Sequence, residues 1–590
     1  MKKIFLEIFM FVKVGIFVCG FFFTSILLAK KANKISDLES YYPITKISFK
    51  YGNAVNSLPD LKILGQAHVE IGKEGIEYSL LQLRQGLSSP IKISESELFK
   101  LSEIPLHYLK KEGYEGVVAL VDPTLIDPLN AQDLRKPGNY ELTIEVWVSL
   151  LERVELESNG LRKNERLRIE KSINNYVGRS NITGSPVEKS FFTEIKQRGN
   201  HSSRSCQVIL SAGSQPGMVK AVIRNNRQDS ESFSLSVQNS GSSSTGKWIF
   251  NGLAKTNQLT GIDDSLQVNY SVSNTGEKQG LNGRYYIPFL PQEKLGFGLS
   301  LGYSSYDAST FAISQIDFSG QSLFADIVFS AKSKPVEEFG LRAGLEIGLR
   351  IENVKAFNSL TSSADVSMLT PRISASLEQK QKFRYANTLI SLGGNVLSID
   401  QNHILSLGGL DVTDRYARLT FSHLENLFIG KMLYSPGKYL SKHSISMKFQ
   451  SSWGLFDERH LPHHQFVTGG TGSVRGYPES TVAGDHGNLV SLEYRLPFFI
   501  FGHSSARAPL IWSVAPFIDW ARTSVNNPLP WESNHILIGT GLSFYLPLPY
   551  GMFASVEFAK PLREIEVSGN TLDGTTSGDY RVHGNIGWKF

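Results

Sequence analysis

Residues 490–496, VSLEYRL, alternate strictly: Val490, Leu492, Tyr494 and Leu496 form one row, and Ser491, Glu493 and Arg495 the other. A strand needs such opposed rows when lipid lies on one side and water on the other. The texture recurs from Glu231 to the C-terminus. SFSLSVQ aligns Phe233, Leu235 and Val237, and SLQVNYSV aligns Leu266, Val268, Tyr270 and Val272. GFGLSLGYSSYDAS, SLFADIVFSA and EFGLRAGLEIGLRIENV continue it more weakly. PFIDWAR sets Ile518 and Trp520 against Phe517, Asp519 and Ala521; HILIGTGLSFYLPLP turns Ile536, Ile538, Thr540, Leu542 and Phe544 outward; FASVEFAK leaves Glu557 inside. The last ten residues, RVHGNIGWKF, place Val582, Ile586, Trp588 and Phe590 opposite Arg581, His583, Asn585 and Lys589. Residues 231–590, at roughly 22 per strand with its connection, predict a transmembrane β-barrel of about 16 antiparallel strands. A barrel of that size encloses an aqueous lumen rather than a packed core.

Upstream the periodicity is mixed. ITKISFKYG, GVVALVDP and NYELTIEVWVSL read as strands, and SESELFKLSEIPLHYLKKEGYEG as a helix interrupted at Pro105. RVELESNG then opens a second unit, with helices in RKNERLRIEKSINNYVG and VEKSFFTEIKQRG and a closing hairpin of CQVILSAG and MVKAVIRNNR. Two α+β modules follow, at 44–150 and 151–230, with residues 53–90 an insertion in the first. The N-terminus, MKKIFLEIFMFVKVGIFVCGFFFTSILLAKK, has a basic start and an apolar run ending at Ala29, so residues 1–29 read as a signal peptide and 30–43 as a short extension.

Composition narrows the function. Of 590 residues, 41% are hydrophobic and 19% charged, too apolar for disorder. The net charge of +5 is small for this length and gives no basis for nucleic-acid binding. A mean hydropathy of −0.14 excludes a multi-helix membrane protein but not a barrel, whose strands show lipid only alternate side chains. Beyond the signal one thiol remains, Cys206, which cannot form an internal disulfide. Catalytic patterns are weak. His460, His463 and His464 have zinc-like spacing but no acidic or thiol ligand nearby in sequence, and read as surface residues; Asp263 and Asp264 read as a hairpin turn. The chain is expected to have no catalytic residue, no metal and no cofactor.

The remaining signal is GGTGSVRGYPES, residues 469–480. A phosphate-cradling glycine loop would need glycine where Arg475 stands and a helix after it. If the loop folds into the lumen, Arg475 meets carboxylates there, with Asp519 and Glu493 both candidates. A salt bridge in a wet pore is worth only about 1 kcal/mol, so its use would be to position the loop. The segment resembles the VRGY loop of the outer-membrane assembly and secretion superfamily, whose branches include the BamA insertases and the TpsB two-partner secretion transporters. The resemblance implies that Val474, Arg475, Gly476 and Tyr477 form a loop inside the barrel and that Arg475 pairs with Asp519 of an F-x-D-x-G strand. The final glycine of that pattern is Ala521 here.

NSGSSSTGKW, residues 239–248, resembles the opening of a TpsB barrel, and Trp588 and Phe590 resemble the C-terminal signal read by the barrel-assembly machinery. The two α+β modules resemble POTRA domains, which bind unfolded clients by adding a strand to a sheet edge. About a dozen residues separate Ala29 from the first strand, too few for a pore-plugging helix and a linker at ~1.5 Å per residue. The family implies an outer-membrane transporter with periplasmic modules, which secretes an unfolded β-rich partner of haemolysin or adhesin type. Its partners would be that TpsA-like client, outer-membrane lipid and, during biogenesis, the assembly machinery. The alternative is a BamA-like or TamA-like insertase, which shares the VRGY loop.

Overall fold

The computed structural model describes residues 41–590 apart from 54–57, 72–75, 128–131, 181, 202, 243–244, 290–293, 309–317, 337–338, 359–362, 410–411, 430–442, 457–458, 502–509, 531, 568–569, 572–574 and 577. The expected signal peptide, most of the extension and the missing plug helix all fall outside the described residues. The chain divides into two units. One comprises residues 1–157, 173–197 and 206–224; the other comprises 158–172, 198–205 and 225–590.

In the first unit a three-stranded sheet sets Glu141–Val148 between Lys46–Tyr51, parallel to it, and Val117–Val121, antiparallel. The alternation of ELTIEVWV sends Leu142, Ile144, Val146 and Val148 inward, each fully buried, against Leu101 and Leu109 of the helix Glu95–Lys111. Ser94 and Glu97 cap that helix reciprocally, each side chain bonding the other's backbone N–H. The helix is not interrupted at Pro105. It runs through the proline, which is buried on the packed face, and this packing outweighs the single backbone bond a proline cannot donate. A second sheet, in the order Leu150–Asn159, Met218–Arg227, Arg204–Ala212, and the helices Lys163–Ser180 and Lys189–Gly199 complete an α+β region consistent with POTRA modules.

The second unit is a closed antiparallel barrel of sixteen strands. These are β1 (Glu231–Gln238), β2 (Ile249–Thr256), β3 (Ser265–Ser273), β4 (Lys278–Pro288), β5 (Leu295–Ala308), β6 (Phe318–Lys332), β7 (Leu341–Asn358) and β8 (Ser363–Lys380). The circuit continues with β9 (Arg384–Gly393), β10 (Arg418–Phe428), β11 (Ser444–Gly454), β12 (His486–Phe501), β13 (Leu510–Ser524), β14 (His535–Pro547), β15 (Met552–Pro561) and β16 (Arg581–Lys589). Each strand pairs with its neighbours in sequence, and β16 closes on β1 from Ser234↔Lys589 to Gln238↔Asn585. Closure leaves no unpaired edge in hydrocarbon, where an unsatisfied backbone group costs several kcal/mol.

The rows face as the alternation requires. In β7, Leu345, Ile347, Leu349 and Ile351 are 43–56% exposed on the outside, while Glu352 is 4% exposed inside. Ion pairs line the lumenal row: Arg372 of β8 meets Asp326 of β6 at 3.1 Å, and within β7 Arg350 meets Glu352 at 3.0 Å. The lumen is not aqueous throughout, however. Two apolar clusters stand inside it, one around the loop hairpin and one against the ends of β7 and β8. The outer and inner rows can be told apart by mutation. Ile373→Arg, on the lipid face of β8, is expected to cost about 2–4 kcal/mol, whereas Ser376→Arg, on the lumenal face, should cost under about 1 kcal/mol. Urea unfolding in lipid vesicles measures both, and equal penalties would show that hydrocarbon does not lie outside.

Candidate functional site: an arginine-tipped hairpin inside the barrel

The connection from β11 to β12 folds back into the lumen. Phe466–Thr468 pairs with Val482–Gly484 as a short hairpin, and the glycine-rich tip lies between these strands. Backbone space explains the glycines where it is tightest. Gly476 takes φ +99°, and a Cβ there would stand 2.5 Å from the Lys560 carbonyl carbon. On the facing wall, a Cβ at Gly539 would overlap the Arg475 carbonyl oxygen. The tip is also tied internally, with Thr471 donating its N–H and hydroxyl to Glu479 at 2.8 and 2.9 Å.

Arg475 engages Asp519 in a fork. Nε donates to Oδ2 at 2.8 Å and Nη2 to Oδ1 at 2.9 Å, and the Arg475 backbone N–H adds a third bond to Oδ2 at 3.0 Å. Glu493 is used as well: Nη1 donates to its Oε2 at 3.2 Å, and to Ser543 Oγ at 3.2 Å. Glu557 stands 3.7 Å from Nη1, and the Phe517 ring centroid lies 3.4 Å from Cζ. Sequence reasoning left Asp519 and Glu493 as competing partners; the structure brings Arg475 to both and adds Glu557. Arg495, 3.1 Å from Glu493, and Lys448, which donates to Gly472 O at 3.1 Å, bring two more cations. Three positive charges thus face three carboxylates.

The pair is not a solvated one. Asp519 is fully buried and Arg475 only 6% exposed, so the value near 1 kcal/mol for an exposed bridge does not apply. Two desolvated charges hold each other, and removing either strands its partner. Val474 and Tyr477 flank the arginine, both fully buried, in a cluster with Val482, Leu489, Ala521, Leu537 and Ile565. The Tyr477 hydroxyl donates to Arg563 O at 2.6 Å and accepts from Ile538 N at 3.1 Å, which fastens the hairpin to β14 and to the connection after β15.

Trp588 and Phe590 lie elsewhere, at the closing seam. Phe590 and Phe233 exchange backbone bonds of 2.8 and 2.9 Å, their rings stack at 5.3 Å, and Trp588 meets Phe590 edge-on at 4.3 Å.

Two groups escaped the reading of the sequence. Of the histidines of 460–464, His463 keeps an exposed side chain although it lies 3.1 Å from Glu352, but His460 is 2% exposed and His464 is half-buried 3.2 Å from Met368 Sδ, because their segment enters the lumen with the hairpin. Among the described residues no group of three or more metal-ligating side chains gathers. Asp263 does lie in a turn, as expected, at φ +67°, but it also binds Arg204, which bonds Glu165 at 3.1 Å too. Burial pushes the Asp263 carboxyl up, yet the hydrogen bonds and charge of Arg204 outweigh it and hold the group down to about 2. No spacing in the sequence links these residues.

Comparison with known proteins places this geometry. The family model "Haemolysin secretion/activation protein ShlB/FhaC/HecB" matches residues 217–330, which contain the start of the barrel. CdiB from Escherichia coli is similar in fold, with 14% identity and a TM-score of 0.57 over 94% of this chain and 92% of that one. CdiB from Acinetobacter baumannii gives 13% and 0.54 over 94% and 91%. BamA from Haemophilus ducreyi lacking POTRA domains 1-3 gives 14% and 0.55 over 93% and 100%. No curated protein matches. The chain thus shares with these proteins the fold of a closed sixteen-stranded barrel preceded by α+β modules, the class of a large outer-membrane barrel. The family-model match is confined to residues 217–330, and at 13–14% identity the solved structures share the fold of this chain.

The buried pair makes a quantitative demand. Asp519→Ala and Arg475→Met are each expected to cost about 3 kcal/mol or more, and the double variant should fall short of their sum by about 1–3 kcal/mol. Urea unfolding of the four proteins measures this, and strict additivity would mean the two groups do not act as a unit.

Proposed function

We propose that this chain carries an unfolded, β-rich partner of haemolysin or adhesin type from the periplasm to the cell surface, with no catalytic step of its own. The observation that carries the reading is the family match at the opening of a closed sixteen-stranded barrel. Residues 44–150 and 151–230 act as two client-binding modules. The edge of the first sheet supports this: Val117–Val121 is a terminal strand of that sheet, and Val118 and Leu120 are 47% and 55% exposed. An extended client can add a strand there and place apolar side chains on that row. No nucleotide supplies energy outside the cytoplasm, so transport runs downhill, and folding at the surface prevents return.

Val474, Arg475, Gly476 and Tyr477 hold the hairpin in register, with Asp519 and Glu493 as its anchors. Trp588 and Phe590 serve biogenesis, presented to the assembly machinery before the seam closes and to lipid afterwards. The insertase alternative shares the barrel, as the BamA likeness shows, but the family match at residues 217–330 favours secretion.

The test starts from the reading frame beside this one, where the reading expects a large β-rich secreted protein, and follows that protein in the culture medium. Cells with the intact transporter are expected to release it, and Val118→Lys with Leu120→Lys should cut release several-fold at an unchanged outer-membrane level, because lysines on a sheet edge oppose strand addition. Release that is independent of the transporter would overturn the reading.

A further inference from the structure

The alternation in β7 and β8 changes phase at one height. In β7, Ile347, Leu349 and Ile351 face outward and Arg350 and Glu352 inward; beyond them Asn353 and Lys355 face outward, followed by Phe357 at the strand end, and Val354 and Ala356 are buried inside. β8 does the same in reverse order. Ser363, Asp365 and Ser367 are outside with Ala364, Val366 and Met368 inside, and then Ile373 and Leu377 are outside with Arg372 and Ser374 inside. The two switches coincide, because Glu352 pairs with Met368 and Val354 with Val366.

The outer change marks the membrane surface. A strand leaving hydrocarbon for water needs a polar outer face, and Lys355 pairs there with Asp365 at 3.2 Å. The inner change has a different cause. A water-filled mouth gains nothing from an apolar wall, and Val354, Ala356, Ala364, Val366 and Met368 form a shelf that requires a cover. The connection between β9 and β10 supplies it. Ile399, Ile404, Leu407 and Val412 lie on the shelf together with Leu461, each at most 8% exposed.

We infer that residues 395–409 form a cap over the extracellular mouth, seated by apolar contact on the ends of β7 and β8, and that the pore opens only when the cap leaves this shelf. Its construction suits that task. The root is fixed to β8, with Leu369 N–H donating to Asn395 Oδ1 and Val396 N–H to Leu369 O, both at 3.1 Å. The short helix Gln401–Ser406 is seated by side chains rather than by a strand ladder, and Gly408 at φ +81° and Gly409 end it. The cap also touches the root of the arginine hairpin, since Leu461 packs in one cluster with Ile404 and Leu407. The chain beyond the cap reaches the same root: Val412 bridges Arg459, and the Tyr416 ring packs on those of His460 and His464 at 5.0 and 4.8 Å. Movement of the cap is therefore felt by the segment leading to Arg475.

The cap's role in export rests on the secretion reading; its control of the pore does not, and the experiment separates the two. The full chain is placed in a planar bilayer in potassium chloride. Ile404→Asp with Leu407→Asp is expected to raise open probability several-fold over the parent. In a Cys206→Ser background, Ile404→Cys and Val366→Cys joined by a reducible bifunctional maleimide should silence the openings, and reduction should restore them. Retention of the folded, heat-modifiable band on unheated gels is required of the aspartate variant; if it fails to fold, the cross-linked pair decides. Unchanged conductance in a folded aspartate variant, or in the cross-linked protein, would overturn the cap. A cap that gates conductance while no partner is exported would leave it standing and remove the secretion reading instead.

Discussion

In hydrocarbon no water is available to a peptide group, so each N–H and C=O in the membrane must find a partner in the chain itself. A sheet meets this condition only by closing, and the backbone bonds between Phe233 and Phe590 belong to the seam that closes this one. The rest of the architecture follows. Closure fixes one row of every strand toward lipid and the other toward the lumen, so that charge has one place to go. Arg350, Arg372, Glu352, Glu493 and Asp519 all lie on the inner row.

Once the interior collects the charges, its dielectric environment decides how they behave. Where side chains line open lumen, ion pairs such as Arg372 with Asp326 remain partly exposed and are worth little. Where the hairpin fills the lumen, Val474 and Tyr477 exclude water and the Arg475 cluster becomes strongly coupled. The loop thus combines two things that must coexist: apolar flanks that dry the site, and carboxylates from three strands that make a dry cation tolerable. Near the opposite face of the lumen, β7 and β8 invert their polarity and hold a second dry patch. The pore is consequently a stack of wet and dry zones, which suits a conduit that must stay shut to ions between clients.

Much of this was legible in the residues. Strict alternation around Glu493 and in the last ten residues identified membrane strands, because a two-residue period with charge on one row has few other causes. The Arg475 and Asp519 pairing is implied by resemblance, and strand alternation adds only that Asp519 and Glu493 face inward. Other features were hidden for physical reasons. A period of two does not say at what height a strand leaves the membrane, so the inversion at Glu352 and Met368 is written in IENVKAF and SADVSML but cannot be read without the barrel. The burial of His460 and His464 depends on a loop turning inward, a tertiary event without local signature, whereas His463 stays exposed as its sequence context suggests. Pro105 was taken as a break because propensity was weighed without the packing that overrides it. The Arg204 and Asp263 contact joins distant segments by charge alone, and charge carries no register.

The central claim is that the lumen conducts an unfolded polypeptide across the outer membrane. Vesicles containing this protein alone, given a urea-unfolded β-rich partner of haemolysin or adhesin type and then diluted and treated with protease, test that claim most directly. The account requires the partner to become protected inside the vesicles, and to lose protection when detergent opens them. A partner that stays fully digestible, while an unrelated unfolded barrel protein inserts into the same vesicles, would contradict it and identify an insertase.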